Sequence, residues 1–314
     1  SSSSQELIDY LNKVKDYEAQ QNQSSIYNTD TKDWQKKILH FSGGTGSVEQ
    51  QAFQLQLNAL ADIVEDDYFA GDVTLVAKET GNPISPIELQ EVKDRISNGV
   101  SIMTFFGHSS STQSGFDINL DEPQYWNNYQ KYPVLLANSC FNGNLFQGSQ
   151  SKSEQFVLTP DAGVIAYIGT INLGFSSPLN VYSREFYKQL SLYNYSGYIS
   201  EHIRNSIDSI IDVTSSLAYE STFLQMTLHG DPMLRFNYHS KPEIEISPSD
   251  LTIGPSFIDL STDSLELNIS FKNLGKSILD TFVVQIIRDF PGSFTDSIYQ
   301  LNIEGMDYDK SFQF

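Results

Sequence analysis

The chain has a single cysteine, Cys140, among its 314 residues. No intrachain disulfide and no thiolate metal cage can form, so the thiol is either an inert apolar group or a reactive one. Basic residues are scarce too: 19 Lys and Arg stand against 39 Asp and Glu, for a net charge of -20. That balance repels a polyphosphate backbone, and nucleic acid is not an expected partner. No apolar run reaches the roughly 18 residues of a membrane-spanning helix, and the mean hydropathy is -0.30. The opening SSSS carries no basic, apolar or cleavage-site pattern, and the end shows no closing turn, so the chain reads as a piece of a longer protein.

What is present is a globular composition, 39% hydrophobic and 12% aromatic, with length enough for two domains. Leu7, Leu11 and Val14 stand at helical spacing, and a polar loop follows, so residues 1–33 read as helix and loop. KILHF then predicts a strand, SGGTG a turn, and Ser47 with Gln50 a capping box that opens a helix with Phe53, Leu57, Leu60, Ala61 and Val64 as its apolar stripe. VTLVA (73–77) predicts a second strand. Ser85, Pro86 and Glu88 open a second helix, which Asn98 and Gly99 end. VSIMTFF (100–106) and PVLLAN (133–138) are unbroken apolar runs of the kind central parallel strands show. A further strand, GVIAYIGT (163–170), precedes helices near 179–191, 199–211 and 217–227. This alternation over 34–240 implies an α/β domain, a doubly wound, mostly parallel sheet with helices on both faces. From Lys241 the texture becomes short alternating runs, EIEIS, SLELNISF and FVVQII, divided by turn residues. That is the signature of a β-sandwich over 241–314, incomplete at about 74 residues against the roughly 100 of an immunoglobulin-like one.

Open parallel sheets carry their ligands at the carboxyl ends of the strands. His108 and Cys140 each follow a buried strand, where an imidazole and a thiol can address one substrate carbonyl. The backbone N–H groups of Ser109 and Cys140 are the candidates to meet the oxyanion, and Gly107, Asn142 and Gly143 give the backbone room to approach a substrate. The turn GGTGS lacks the third glycine of a dinucleotide fingerprint and the Lys-Ser/Thr pair of a phosphate loop. Glu65, Asp66 and Asp67, like Asp117 and Asp121, read as solvated carboxylates or as a structural calcium site; no other cofactor or metal is expected. His229 reads as a packed or hydrogen-bonded histidine.

FFGHSS (105–110), LLANSCFNGN (135–144), GVIAYIGTINLGFSSP (163–178) and LHGDPMLRF (228–236) together resemble the gingipain-like cysteine peptidases, which include the signal-removing sortases of type IX secretion. The resemblance runs over about residues 5–314. It implies a caspase-like fold followed by the immunoglobulin-like sandwich, with the first helix as the last piece of a preceding subdomain. It makes His108 and Cys140 the catalytic residues and places Gly107, Ser139, Phe175 and Ser176 at the substrate groove. The implied partners are protein or peptide substrates and other secretion-system components, and the implied location is extracytoplasmic, at the cell surface, outer membrane or periplasm. Three departures accompany it. FSGGTG puts Ser42 or Gly43 where the family carries an acidic partner for the histidine, which leaves a dyad. Gln50 or Gln51 replaces the pocket aspartate of arginine-specific members, so no strong basic preference is expected. Ser109 replaces the glycine usual after the histidine. The absent acid also motivates a rival reading, an inactive peptidase-like binding or adhesion module.

Overall fold

The computed structural model describes residues 3–22, 29–78, 86–109, 117–118, 122–146, 151–211, 216–236 and 238–314, the last stretch without 258, 260, 261, 263, 291, 293 and 294. In chain order the first region contains α1 (Ser4–Asn22), α2 (Thr29–Lys32), β1 (Lys37–Ser42), α3 (Ser47–Asp66), β2 (Asp72–Ala77), α4 (Pro86–Asn98), β3 (Ile102–Phe106), β4 (Val134–Asn138), α5 (Lys152–Leu158), β5 (Ala166–Thr170), α6 (Ser176–Lys188), α7 (Ile199–Ile211), α8 (Leu217–Gln225) and β6 (Met226–Gly230). The strands form one sheet in the order β2-β1-β3-β4-β5-β6. The first five are parallel, and β6 runs antiparallel to β5 at the edge. The winding reverses between β1 and β3, and crevices at such reversals are where open α/β sheets hold their sites.

Strands β3, β4 and β5 are buried at every position, which is why IMTFF and VLLAN show no polar alternation. Phe106, Leu136 and Ile168 pack beneath α3 and α6 with Phe53, Leu57, Tyr182 and Phe186. Met103, Phe105, Leu135 and Tyr167 face the other way, onto Val92 and Ile96 of α4 and Phe156 of α5. Each such side chain contributes roughly 1.5–3 kcal/mol by leaving water, so the strand ends stand on a rigid floor.

Helix α1 is anchored in this same core. Val14 and Tyr17 join the α3–α6 side, and the Lys13 ammonium donates to the carbonyls of Val157 (2.9 Å), Thr159 (3.2 Å), Ala162 (2.6 Å) and Val164 (3.0 Å). Burial pulls this lysine down to about 7. The helix that the resemblance assigns to a preceding subdomain is thus built into the sheet domain.

Local differences from the sequence expectations have physical causes. The N-cap of α3 is Gly46, with no side-chain cap, so Ser47 and Gln50 form no capping box. Instead Gln50 Nε2 donates to Gly44 O at 3.1 Å, while Thr45 bonds Glu49. Ser85 lies outside the described residues. Helix α8 stops at Gln225 rather than continuing to 227, because residues 226–230 pair with β5 in the register Thr170↔Met226 to Ala166↔Gly230. Pairing with the sheet overrides the helical pattern there.

The second region holds β7 (Ile244–Glu245), β8 (Leu251–Gly254), β9 (Glu266–Asn273), β10 (Ile278–Arg288), β11 (Ser297–Met306) and β12 (Asp309–Gln313). One antiparallel sheet is β10-β11; the other is β12-β9-β7, with β8 also pairing β9. Ile269 and Phe271 of β9 meet Met306, Phe282, Val284 and Ile286 of the facing sheet. The junction to the first region is polar and close. Lys36 donates to the Phe69 and Gly275 carbonyls, Ser277 N–H to Tyr68 O at 3.2 Å, and Lys37 to Tyr308 at 2.9 Å, with Asp33 accepting from the Tyr308 hydroxyl. Among the described residues no helix is long and apolar enough to cross a membrane.

Candidate active site

The register Phe106↔Asn138, prolonged by Gly107 N–H donating to Asn138 O at 3.2 Å, brings His108 and Cys140 off neighbouring strands at the same level. Such strands lie about 4.8 Å apart. The Ser109 hydroxyl closes the connection by donating to the Cys140 carbonyl.

Cys140 is partly exposed, so its thiol can be reached. The turn that follows is fixed from β5: Phe141, in the left-handed region at φ 59, donates its N–H to Asn172 O at 2.8 Å, and Gly143 donates to Thr170 O at 2.7 Å. The Thr170 hydroxyl donates to Ser139 O at 2.6 Å. Gly174 N–H points at the Cys140 sulfur from 3.4 Å, with Gly174 O at 3.7 Å. A β-carbon at 174 would come within 2.7 Å of Leu179 Cδ1 and 3.2 Å of Ser139 O, so only glycine lets this backbone reach the sulfur without displacing a neighbour. Helix α6 begins two residues on, and its amino-terminal pole favours negative charge beside it.

His108 is half-exposed, and its Nε2 stands 3.0 Å from Glu49 Oε2, on the first turn of α3. The ring also meets Phe53 edge-on, at 6.1 Å between centroids. Thr45 donates both its N–H (2.8 Å) and its hydroxyl (3.0 Å) to the same Glu49 oxygen. The Thr45 N–H first, and then the His108 ring, hold the Glu49 carboxyl below the usual carboxylate range. A carboxylate therefore stands against the histidine ring, and it comes from Glu49 and not from the Ser42–Gly43 position. Ser42 is buried with its hydroxyl unpaired, while the carboxylate arrives from the helix after the glycine turn. The available signal was an acid in the first turn of a helix opening at the sheet's carboxyl edge.

The remaining expected positions divide. Phe175, 51% exposed, and Ser176 open α6 beside Gly174 and face solvent. Ser139, 2% exposed, lies beneath, its hydroxyl accepting from Asn142, and Gly107 is buried. Gln50 is buried and its side-chain amide donates to Gly44 O, while Gln51 is exposed on α3. The amides of Ser109 and Cys140 lie on the two loops joined by the Ser109 hydroxyl. His229 is buried and meets Thr227 at 3.3 Å, and burial lowers it. Glu65 accepts from Val73 N–H at 2.9 Å, Asp117 accepts backbone N–H groups, and Asp121 lies outside the described residues. Among the described residues no three His, Cys, Asp or Glu side chains are grouped to hold a metal ion.

Comparison with known proteins follows the same lines. None of the curated protein sequences matches the chain. Among solved structures, the crystal structure of the Arg-specific cysteine proteinase gingipain R aligns with a TM-score of 0.57 at 14% identity, covering 92% of this chain and 62% of that one. The present chain thus spans about three fifths of that proteinase. A structure described only as a protease aligns with a TM-score of 0.60 at 13% identity, covering 96% and 73%. The complex of Porphyromonas gingivalis RgpB pro- and mature domains gives 0.54 at 12%, covering 95% and 66%. At these identities the likeness is one of fold: the mostly parallel sheet flanked by helices is the caspase-like arrangement of the gingipains. The sequence model of peptidase family C25 matches residues 1–237, which take in every element from α1 to β6. The chain belongs to peptidase family C25, the gingipain family of cysteine peptidases.

Proposed function

We propose that this chain cleaves peptide bonds with Cys140 as nucleophile, His108 as acid and base, and Glu49 as the carboxylate that orients and charge-balances the ring. The observation that carries this reading is the chain of contacts from Glu49 through His108 to the strand end beside Cys140. With Nε2 engaged by Glu49, Nδ1 is the nitrogen that receives the thiol proton. The thiolate then attacks the substrate carbonyl, and the Cys140 and Ser109 amides meet the oxyanion. As the C–N bond breaks, the imidazolium returns its proton to the leaving amine, and a thioester remains on Cys140. Water, or an amine acceptor in a transpeptidation, resolves it.

The favoured subtype is a type IX secretion sortase, acting outside the cytoplasm on carboxy-terminal signals of secreted proteins. It rests on the sequence resemblance. The rival reading, an inactive binding module, was motivated by a missing acid, and the Glu49–His108 pair weighs against it. A peptidyl-ketone probe tests the choice. A covalent adduct mapped to Cys140 by mass spectrometry, with cleavage of a peptide library lost in Cys140→Ala, is the expected result. No adduct and no cleavage would favour the binding module.

A further inference from the structure

We propose that Asp117 is the positioning residue of this site, setting both His108 and Glu49 through their backbones without touching substrate. The proposal rests on the reading of His108 as the acid–base group. The carboxylate is shared between two loops: Oδ1 accepts His108 N–H at 3.1 Å, and Oδ2 accepts Gly44 N–H at 2.6 Å. Asp117 N–H donates back to His108 O at 3.0 Å, so one residue holds the peptide groups on both sides of the histidine. Lys78 Nζ, just past β2, approaches Oδ2 at 3.8 Å. The ends of β1, β2 and β3 thereby converge on one side chain.

The space it occupies is cleared for it. A β-carbon on Gly43 or on Gly107 would overlap Asp117 Oδ1. Neither glycine has a positive φ, so the turn does not require them: Asp117 alone excludes a β-carbon at Gly43, and Asp117 together with the Phe105 ring, 2.6 Å away, excludes one at Gly107. The Gly44 bond fixes the start of the turn in which Thr45 grips Glu49, and the His108 bond fixes the backbone that carries the ring. The two ends of the 3.0 Å Glu49–His108 contact are referred to one common anchor.

Asp117→Asn keeps the shape but turns an amide group against one of the two N–H donors. A displacement of order 1 Å at a catalytic group costs about 10²-fold, so kcat on a peptide substrate should fall roughly ten- to a hundredfold. KM should stay within about twofold, as for an interaction felt only in the transition state. Alkylation of Cys140 by iodoacetamide should slow as well. Asp117→Glu keeps the charge but cannot fit between Gly43 and Gly107, and should not restore activity. An Asn variant with normal kcat, a fully active Glu variant, or a change confined to KM overturns the proposal. One measurement needs no turnover: in Asp117→Asn the amide protons of both Gly44 and His108 should shift and exchange faster with solvent than in the wild type. A change at neither amide, or at only one, overturns the anchor. Absence of any cleavage by the wild-type chain, by contrast, overturns the reading of the site and not the role of Asp117.

Discussion

Glu49 Oε2 and His108 Nε2 lie 3.0 Å apart, the carboxylate coming from a helix turn and the ring from a strand end. In the mechanism proposed above, a carboxylate so placed fixes the ring and would balance its charge once it gained the thiol proton. Glu49→Gln keeps the shape and removes the charge. Its kcat on a peptide substrate should drop, but by less than in His108→Ala, where losing the acid–base group costs about 10²–10⁴-fold. Equal rates for Glu49→Gln and wild type would remove Glu49 from the chemistry.

Cys140→Ala should abolish cleavage while leaving the fold intact. The side chain is partly exposed, and substitutions at such positions usually change stability by no more than about 0.5 kcal/mol. Peptide hydrolysis and the thermal midpoint, read on the same preparation, check this. Residual hydrolysis would assign the nucleophile elsewhere.

Gly174→Ala places a methyl group 3.2 Å from the Ser139 carbonyl, which is backbone and cannot rotate away, and 2.7 Å from Leu179 Cδ1, which can. The loop must retreat and take its N–H from the sulfur. Cleavage and iodoacetamide reactivity should both fall in a protein that still unfolds cooperatively. Wild-type reactivity in this variant would show that the Gly174 contact is incidental.

Stability should decline in mild acid. Burial holds His40 at about 3 and His202 at about 4, and burial, with Lys36 and Lys32 nearby, holds His239 at about 3. As pH falls below about 6.5, the unfolded chain binds protons that the folded chain refuses, and each histidine removes up to about 1.4 kcal/mol per pH unit. Glu49 acts in the same direction at lower pH: its contribution is present above the ordinary carboxylate range and is lost as pH falls through its depressed value. The urea midpoint should therefore drop clearly between pH 7 and pH 5. An unchanged midpoint would contradict the neutral burial of these rings.

The central strands were legible because residues buried on both faces leave unbroken apolar runs, as in IMTFF and VLLAN. The placement of His108 and Cys140 at strand ends was legible for the same reason, since both follow such runs. Glu49 was not, because its contact depends on how far the glycine turn swings α3 over the sheet. Asp117 was hidden more deeply: the gap it fills exists only where Gly43 and Gly107, far apart in the chain, come together in space. The end of α8 was misjudged because hydrogen bonds to β5 decide it, and no local pattern encodes them. Helix α1 looked peripheral because its binding partners lie more than a hundred positions away.

That distance has a consequence for how the molecule comes into being. A nitrogen on the thirteenth residue is riveted to carbonyls 144 to 151 positions downstream. During synthesis the opening helix must wait, unseated, until the turn around Ala162 has emerged and closed. Cutting the helix away afterwards would strip four carbonyl oxygens beside the Tyr132 ring of the cation that ties them together.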